Sequence, residues 1–325
     1  MKNRFTLTMV SITFLSLQVQ ASDKLADNEI LAVQKGGVPD KVYTQHKPML
    51  RIATYSIGKN EASDSVTDFA ALNSAIKKIN ADIIAVREVD NKTQRSQKID
   101  QLKTIADANK MHYIFGKALD FDGDEYGLGI LSKYKILHSQ VVKLPSGNAQ
   151  QRVSLFAQKY KILNSQVVKL PSGNAEQRVA LLAQVGVPEF DSAPIIIVTH
   201  LDWQKDPTIR TEQARYLLDL SIGDAASDFK DIASAIKVLA GDFNSTREEQ
   251  PVNEIGCFFN EVSKQGTDTR SWPAVNPAID TDHIFTFKGQ KWNVKKIEIP
   301  KNSPEFSWSA ASDHLPVIAE LELTE

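Results

Sequence analysis

The chain is poor in cysteine and has no excess of charge of either sign. Cys257 is the single cysteine among 325 residues, which excludes an intramolecular disulfide framework and a zinc site built from several cysteines. The 38 Lys and Arg residues balance 40 Asp and Glu residues, for a formal net charge of −2. Proteins that bind nucleic acid non-specifically have a clear basic excess, so this balance disfavours that class. We expect Cys257, beside Phe258 and Phe259, to be a buried small hydrophobic residue.

The chain also lacks a long hydrophobic run beyond its first residues. Lys2 and Arg4 precede an uncharged, largely apolar run over residues 5–17, and residues 19–21 (VQA) have the small-residue pattern of a signal-peptidase site. An N-terminal membrane anchor is the alternative, but the run is shorter than the ~20 residues that span a bilayer. The sequence therefore predicts a signal peptide over residues 1–21 and an exported protein, periplasmic or extracellular in a bacterium, with no transmembrane segment after cleavage.

The remaining sequence alternates short apolar runs with helical patterns. Apolar residues recur at helical spacing between the runs, as at Leu72, Ile76 and Ile79. Near-continuous apolar strands are typical of sheets that are covered on both faces. We therefore predict an α/β (α+β) fold, a four-layered sandwich of two packed mixed β-sheets flanked by helices, over residues 49–325 after an N-terminal extension over residues 22–48. The predicted strands include residues 50–57, 81–89, 194–201 and 236–243.

A segment of 26 residues occurs twice in succession. Residues 133–158 and 159–184 are identical at 22 of 26 positions. Two copies are too few for a solenoid, which needs at least three repeats to bury a core, so the pattern indicates a tandem duplication within one domain. Each copy predicts a strand, a Pro-Ser-Gly-Asn turn and a second strand.

Acidic residues and histidines cluster at the predicted ends of strands. Strand ends of one sheet meet at one rim, where layered α/β proteins bind ligands. Taken singly these residues are weak signals, because Asp and Asn favour turns and an Asp-His pair is often a structural hydrogen bond. Together they supply oxygen ligands that suit Mg²⁺ or Mn²⁺ better than zinc. The candidates are Glu88, His200, Asp242, Asn244, Asp282, Asp313 and His314.

The order of these motifs resembles the endonuclease/exonuclease/phosphatase superfamily, also called deoxyribonuclease-I-like. The resemblance covers about residues 49–322, and EVDNKTQRS with VTHLDWQKDPTIRTEQA is similar to exported bacterial members described as metal-dependent hydrolases. The stretches that carry it are LRIATYSI, DIIAVREVD, YGLGILSKY, EQRVAL, VTHLDW, GDFN, TDHIF and SDHLPV.

The resemblance implies a metal-dependent attack of water on phosphorus. Glu88 matches the glutamate that holds the essential divalent ion, Mg²⁺ or Mn²⁺, and Asp313 matches a further metal-binding or water-orienting acid. Asp242 and Asn244 match the residues that position the attacking water and the phosphate. Carboxylates of this kind suit a hard cation that keeps open positions for water.

The resemblance also implies the groups that contact the phosphate. His314 matches the histidine on the scissile phosphate, and Asp282 matches the carboxylate that orients it. His200 matches a second phosphate-contacting histidine and a candidate acid for the leaving oxygen. Tyr126 and Arg178 match positions that reach the substrate phosphate.

Two positions depart from the family pattern. Ser56 stands where Asn is usual on the metal side of the substrate site, and Arg87 stands where Gln usually precedes the glutamate. Strand alternation would send Arg87 and Glu88 to opposite faces, which favours a structural or supporting role for Arg87.

Glu176 of the second copy, but not Gln150 of the first copy, completes the family's acid-x-Arg pattern. We therefore expect the second copy to supply the native strand before residues 198–201 (VTHL), with part of the first copy looped out.

The predicted activity is that of an exported Mg²⁺-dependent phosphodiesterase or phosphatase. A nuclease needs rows of Lys and Arg beside its site, but basic residues here are dispersed apart from residues 291–301. A small or lipid phosphoester is therefore the favoured substrate, and we expect a monomer. The alternatives are a secreted endonuclease, or a binding protein that kept the fold and lost turnover.

Overall fold

The computed structural model describes residues 47–58, 68–144, 175–225, 227–229, 231–262 and 268–324. The predicted signal peptide and most of the predicted extension lie outside these residues. So do residues 145–174, which belong to the two copies of the repeat and include their junction. No helix in the described part of the chain is long and apolar enough to cross a membrane.

Within the described residues, twelve strands form two sheets. The strands are β1 (Met49–Ser56), β2 (Ile83–Asn91), β3 (His112–Phe121), β4 (Asp124–Ser132), β5 (Ile136–Lys143), β6 (Val179–Val185), β7 (Ile195–His200), β8 (Lys237–Asp242), β9 (Phe259–Glu261), β10 (Asp282–Phe287), β11 (Trp292–Glu298) and β12 (Val317–Leu323). The first sheet has the spatial order β11-β12-β1-β2-β4-β3, and the second has the order β5-β6-β7-β8-β10-β9.

The helices begin and end where local chemistry predicts. They are α1 (Phe69–Ile79), α2 (Gln101–Asn109), α3 (Thr208–Ile222) and α4 (Gln250–Ile255), with a 3₁₀ turn at Trp308–Ala310. The side chain of Asp68 accepts the backbone N–H of Ala71 and so caps α1, and Asp100 caps α2 in the same way. Asn80 ends α1 in the left-handed conformation, which Asn tolerates better than most residues do.

The core lies in three apolar layers. Buried side chains from the facing sides of both sheets, such as Ile130 and Leu181, form the central layer. The outer face of the first sheet packs against α1 and α2, and the outer face of the second packs against α3. These layers confirm the predicted four-layered sandwich of two mixed sheets. Both contain parallel pairs, β1 with β2 and β7 with β8, beside antiparallel ones.

The duplicated segment contributes one strand from each copy. β5 belongs to the first copy and β6 to the second, and they pair antiparallel, with Val142 opposite Ala180. The second copy therefore supplies the strand before β7, as expected. The second half of the first copy and the first half of the second copy lie outside the described residues, and so do Val153, Leu155 and Phe156.

The expectation for Cys257 is wrong. Its thiol is exposed, and Phe258 is 42% exposed, whereas Phe259 is buried. These residues form the turn from α4 into β9, where Phe259 faces the core between helix and sheet and its neighbours face solvent.

Candidate active site

The predicted residues converge on one rim because of the strand directions. β7 and β8 run parallel and place His200 opposite Asp242, and β10 runs antiparallel to β8 and places Asp282 opposite Asp242. In the other sheet, β1 and β2 run parallel, and β1 ends at Ser56 opposite Arg87 of β2. The carboxyl ends of β1, β7 and β8, the amino end of β10 and the middle of β2 therefore meet at one edge.

Glu88 occupies an irregular position in β2. The pairing of β2 with β4 shifts register between Val86 and Val89, and Glu88 has a left-handed φ of 58°. We expected Arg87 and Glu88 to point to opposite faces of the sheet because side chains alternate along a regular strand. The bulge interrupts that alternation. The carboxylate instead packs against Gly58, where an added Cβ would lie 1.9 Å from Glu88 Oε2.

Glu88 and Asp313 form the acidic side of the site. Ser56 Oγ donates a hydrogen bond of 2.8 Å to Glu88 Oε1, so the contact of Ser56 is with the proposed metal ligand. Burial raises the pKa of Glu88, and the nearby Asp313 raises it further against the lowering effect of His314. Asp313 Oδ1 is buried without a hydrogen-bond partner in the described part of the chain.

These residues fit a divalent cation. One donor atom each from Glu88, Asp313 and His314 lie within 4.8 Å of one another. Two carboxylates, one with an unpaired buried oxygen, are the hard donors that Mg²⁺ and Mn²⁺ take, and two protein ligands leave positions for water. A cation here would relieve the cost of burying Glu88 and Asp313 together.

The histidine side of the site is already charge-compensated. His314 Nδ1 lies 2.8 Å from Asp282 Oδ2, which also accepts a hydrogen bond from Ser271 Oγ. Asp282 Oδ1 pairs with Arg87 Nη2. Burial works against the charge of Asp282, but Arg87 and His314 outweigh it and hold its pKa well below the usual range. The expected Asp-His pair is therefore present.

The two histidines have opposite charge states. Burial lowers the pKa of His314, but Asp282 and then Asp242 raise it to a net value of about 9. Burial and the charge of Arg178 hold the pKa of His200 well below the ordinary value. His314 is therefore cationic and His200 neutral near pH 7, which favours His314 over His200 as the group that can give up a proton.

Asp242 lies between the two histidines. Its Oδ2 is 3.7 Å from His200 Nε2 and 3.9 Å from His314 Nε2. Burial and the charge of Asp282 raise the pKa of Asp242. Its Oδ1 accepts the backbone N–H of Asn244 at 2.7 Å, and Asn244 Nδ2 donates to the carbonyl of Leu201. Asn244, which has a φ of 46°, therefore braces the turn after β8 against β7.

Tyr126, Glu176, Arg178 and His200 line a small recess beside this centre. Arg178 Nη2 lies 3.4 Å from Glu176 Oε1, while the buried Nε has no partner in the described residues. Burial raises the pKa of Tyr126, so it remains a neutral phenol. A guanidinium with an unused N–H next to a phenol and an imidazole is suited to bind a phosphate oxygen.

Sequence reasoning gave no role to Arg95, although its EVDNKTQRS stretch was noticed. Arg95 makes a two-point ion pair with Asp90, and its guanidinium carbon lies 5.5 Å from the ring centroid of Tyr126 and 4.5 Å from that of Phe121. It therefore supports the wall of the recess. The one signal in the sequence is that Arg95 follows the acidic Asp90 by five residues in this stretch, which allows the two side chains to pair.

Fold and rim together define a two-sheet α/β sandwich with an acidic and histidine-rich site at its edge. The chain belongs to the endonuclease/exonuclease/phosphatase family, whose profile matches residues 53–314. Members of this family are hydrolases. No curated protein sequence matches the chain.

Solved structures share the fold at low sequence identity. A Bacteroides vulgatus endonuclease/exonuclease/phosphatase is 20% identical with a TM-score of 0.64, over 86% of this chain and 100% of that one. A Bacteroides thetaiotaomicron mannosyl-6-phosphatase is 15% identical with a TM-score of 0.60, over 85% and 100%. The human Nocturnin catalytic domain, with a bound sulfate anion, is 16% identical with a TM-score of 0.61, over 86% and 96%.

Proposed function

We propose that the protein is an exported, divalent-metal-dependent phosphoester hydrolase. The observation that carries this proposal is the meeting of two carboxylates and a cationic histidine on one rim. Donor atoms of Glu88 and Asp313 lie within 4.8 Å of each other, Asp313 Oδ1 has no hydrogen-bond partner in the described residues, and His314 carries a proton that Asp282 stabilises. Such a site supplies separate positions for a metal and for phosphate oxygens.

The residues divide the work of hydrolysis as follows. A cation held by Glu88 and Asp313 would supply charge neutralisation of the phosphate when bound. Asp242, whose pKa is raised, accepts the proton of the attacking water. The oxygen of the leaving alcohol takes its proton from His314 as the P–O bond breaks. Arg178 and neutral His200 hold the remaining phosphoryl oxygens.

We propose a small phosphoester whose alcohol carries a ring. The ring of Trp272 lies with its centroid 6.3 Å from that of His314, and the side chain is 36% exposed. An indole face next to a phosphate site suits a sugar or a nucleobase, both of which stack on aromatic rings. The similar solved structures include a mannosyl-6-phosphatase, which supports a phosphate on a small ring compound.

A substrate panel with and without a chelator tests the proposal. It would contain mannose 6-phosphate, a 2′,3′-cyclic nucleotide, a chromogenic phosphodiester, sphingomyelin and plasmid DNA, each with Mg²⁺. We expect hydrolysis of a small ring phosphoester that stops on chelation and returns with Mg²⁺. Glu88→Gln should abolish it, and the exposed Glu305→Gln is the matched control.

Each other outcome of the panel overturns a defined part of the proposal. Activity that survives exhaustive chelation contradicts the metal requirement. Preference for plasmid or sphingomyelin contradicts the substrate class, and Mg²⁺ binding without turnover of any substrate identifies a binding protein.

We also propose that residues 1–21 are removed during export. The charged start, the apolar run and the small residues before Ser22 support this step. Mass spectrometry of the protein from the periplasm or medium should give an N-terminus at Ser22. An intact Met1 on the exported protein, or its retention in the cytoplasm, contradicts the proposal.

A further inference from the structure

Arg87 connects the two sheets at the rim and is completely buried. Its guanidinium pairs with Thr54 in the first sheet through Nη1 and with Asp282 in the second sheet through Nη2. The relative exposure of both paired side chains, Arg87 and Asp282, is 0%. Few side chains could make this contact, because two acceptors in different sheets require the fixed fork of a guanidinium.

The Arg87 contact fixes the orientation of the Asp282 carboxylate. Oδ2 of Asp282 faces Ser271 and His314, while Oδ1 faces Arg87. Without Arg87, Oδ1 would be a charged oxygen with no partner in a site closed to water, which is costly. The carboxylate would then turn away from the position in which Oδ2 meets His314 Nδ1.

We infer that Arg87 is a positioning residue, which acts through Asp282 to hold His314 in place. The inference rests on the proposed function. Two neighbouring residues at the bulge of β2 then serve the two sides of the site. Glu88 lies on the acidic side, and Arg87 contacts Asp282 on the histidine side. The metal-binding strand and the histidine pair thereby keep a fixed spacing although they belong to different sheets.

Removing one partner of a buried ion pair is strongly destabilising, so the test has to separate positioning from a loss of stability. A positioning residue changes kcat more than KM, because a small displacement of the histidine matters most in the transition state. Arg51 provides a matched control in the same sheet. It pairs with Glu298 and Glu320 at the opposite end of β1 from Ser56.

The test compares Arg87→Gln, Arg87→Lys and Arg51→Gln in the Mg²⁺-loaded protein. We expect Arg87→Gln to lower kcat by ~10–10²-fold with little change in KM. Arg87→Lys should recover part of the loss, because an ammonium keeps a cation at Asp282 Oδ1. Arg51→Gln should lower the melting temperature and leave kcat unchanged. Equal losses of kcat and melting temperature in all three variants, or an unchanged kcat in Arg87→Gln, would overturn the inference.

A second measurement does not depend on turnover. The proton on His314 Nδ1 should give a downfield ¹H NMR signal, identified by its absence in His314→Asn. We expect this signal to shift or broaden in Arg87→Gln and to stay in place in Arg51→Gln. An unchanged signal in Arg87→Gln overturns the positioning role even if the variant loses activity. If the parent hydrolyses no phosphoester, the proposed function fails, while the signal still tests the contact.

Discussion

The half-buried Glu88 and the fully buried Asp282 have carboxylates that approach the same histidine, and their pKa values shift in opposite directions. Burial raises the pKa of Glu88, whose hydrogen-bond partner is the neutral Ser56. Burial also opposes the charge of Asp282, but Arg87 and His314 outweigh it and the pKa falls. Arg87 and His314 act on both carboxylates, but they pair directly with Asp282 alone, and Asp313 opposes them at Glu88.

The comparison shows which carboxylate is neutralised by protein side chains and which is suited to neutralisation by a bound cation. On the histidine side, the protein supplies its own countercharge through Arg87 and His314. On the acidic side, Asp313 Oδ1 has no hydrogen-bond partner among the described residues. A site with one fully paired side and one incompletely paired side suits a cation at the second.

Substitution of His314 or Asp242, which lie between the acidic side and the histidine side of the site, should have the largest effect on kcat. We expect His314→Ala and Asp242→Asn each to lower kcat by ~10²-fold or more, because both act on charge that develops in the transition state. Steady-state kinetics with Mg²⁺ measures the loss, and circular dichroism and melting establish that the variants are folded. A folded variant with near-parental turnover would show that these two residues do not have the proposed roles.

Filling the space next to Glu88 should disrupt the acidic half alone. In Gly58→Ala, the new Cβ would overlap the Glu88 carboxylate, with 1.9 Å to Oε2, and the carboxylate has to move. We expect the affinity for Mg²⁺ to fall by ~10–100-fold, as for other changes that disturb the support of a metal ligand. The measurement is the rise in melting temperature as Mg²⁺ is added.

Gly186→Ala is the control for Gly58→Ala, because its added Cβ would meet the nearest atoms at an ordinary 3.6 Å. It should keep the parental response to Mg²⁺. If Gly58→Ala also keeps that response, Glu88 is not held where the proposed site needs it.

The sequence predicted the rim better than it predicted the connections across it. Motif order and strand ends identified Asp242, Asp282 and His314, because residues at the ends of neighbouring strands meet whatever the details of packing. The left-handed φ of Glu88 was not predictable, since a bulge depends on the partner strand and not on the period of its own strand. The contact of Arg87 with Asp282 joins residues 195 positions apart, so no local pattern carries it.

The same reasoning explains the error at Cys257. A cysteine beside two phenylalanines has the composition of a buried segment, but a turn exposes part of any such run. Its exposure is set by the geometry of the turn between α4 and β9 and not by its neighbours in sequence.

The charge of His314 should give the metal-free protein a measurable pH dependence. The pKa of His314 is raised from 6.5 to about 9 in the folded state. A raised pKa contributes stability that is fully present below the unfolded value and is lost as pH rises through the folded value. The free energy of unfolding should therefore fall between about pH 6.5 and 9, by on the order of a few kcal/mol at most.

His314→Asn isolates this contribution. His283, whose pKa is also raised, titrates in both proteins and cancels in the comparison. Urea unfolding of the two proteins without metal, at a series of pH values, should show a difference that shrinks across this window. A difference that stays constant with pH would mean that His314 is not charged in the folded protein.

Shortening the duplicated segment should have the smallest effect on either half of the site. Removal of residues 145–170 joins Leu144 to Pro171 and keeps every described residue of β5 and β6. Removal of residues 133–158 gives a chain of the same length, with Asn164 in place of His138 as the one difference between the two products. The entropic cost of closing the connection between β5 and β6 falls by about 0.6 kcal/mol for each halving of its length. Both variants should therefore be at least as stable as the parent, and we expect them to be equally active.

The pair of deletions also tests the contribution of His138. Its ring lies edge-on to Phe229 with centroids 4.3 Å apart, and such pairs contribute about 0.5–1.5 kcal/mol. We therefore expect the variant that keeps His138 to melt slightly higher, with identical kinetics, because β5 is the edge strand of its sheet and carries no residue of the rim. Thermal melts and the phosphoester panel on all three proteins decide the matter. If either shortened chain aggregates or melts well below the parent, residues 145–170 contribute to the folded core and the duplication is not surplus.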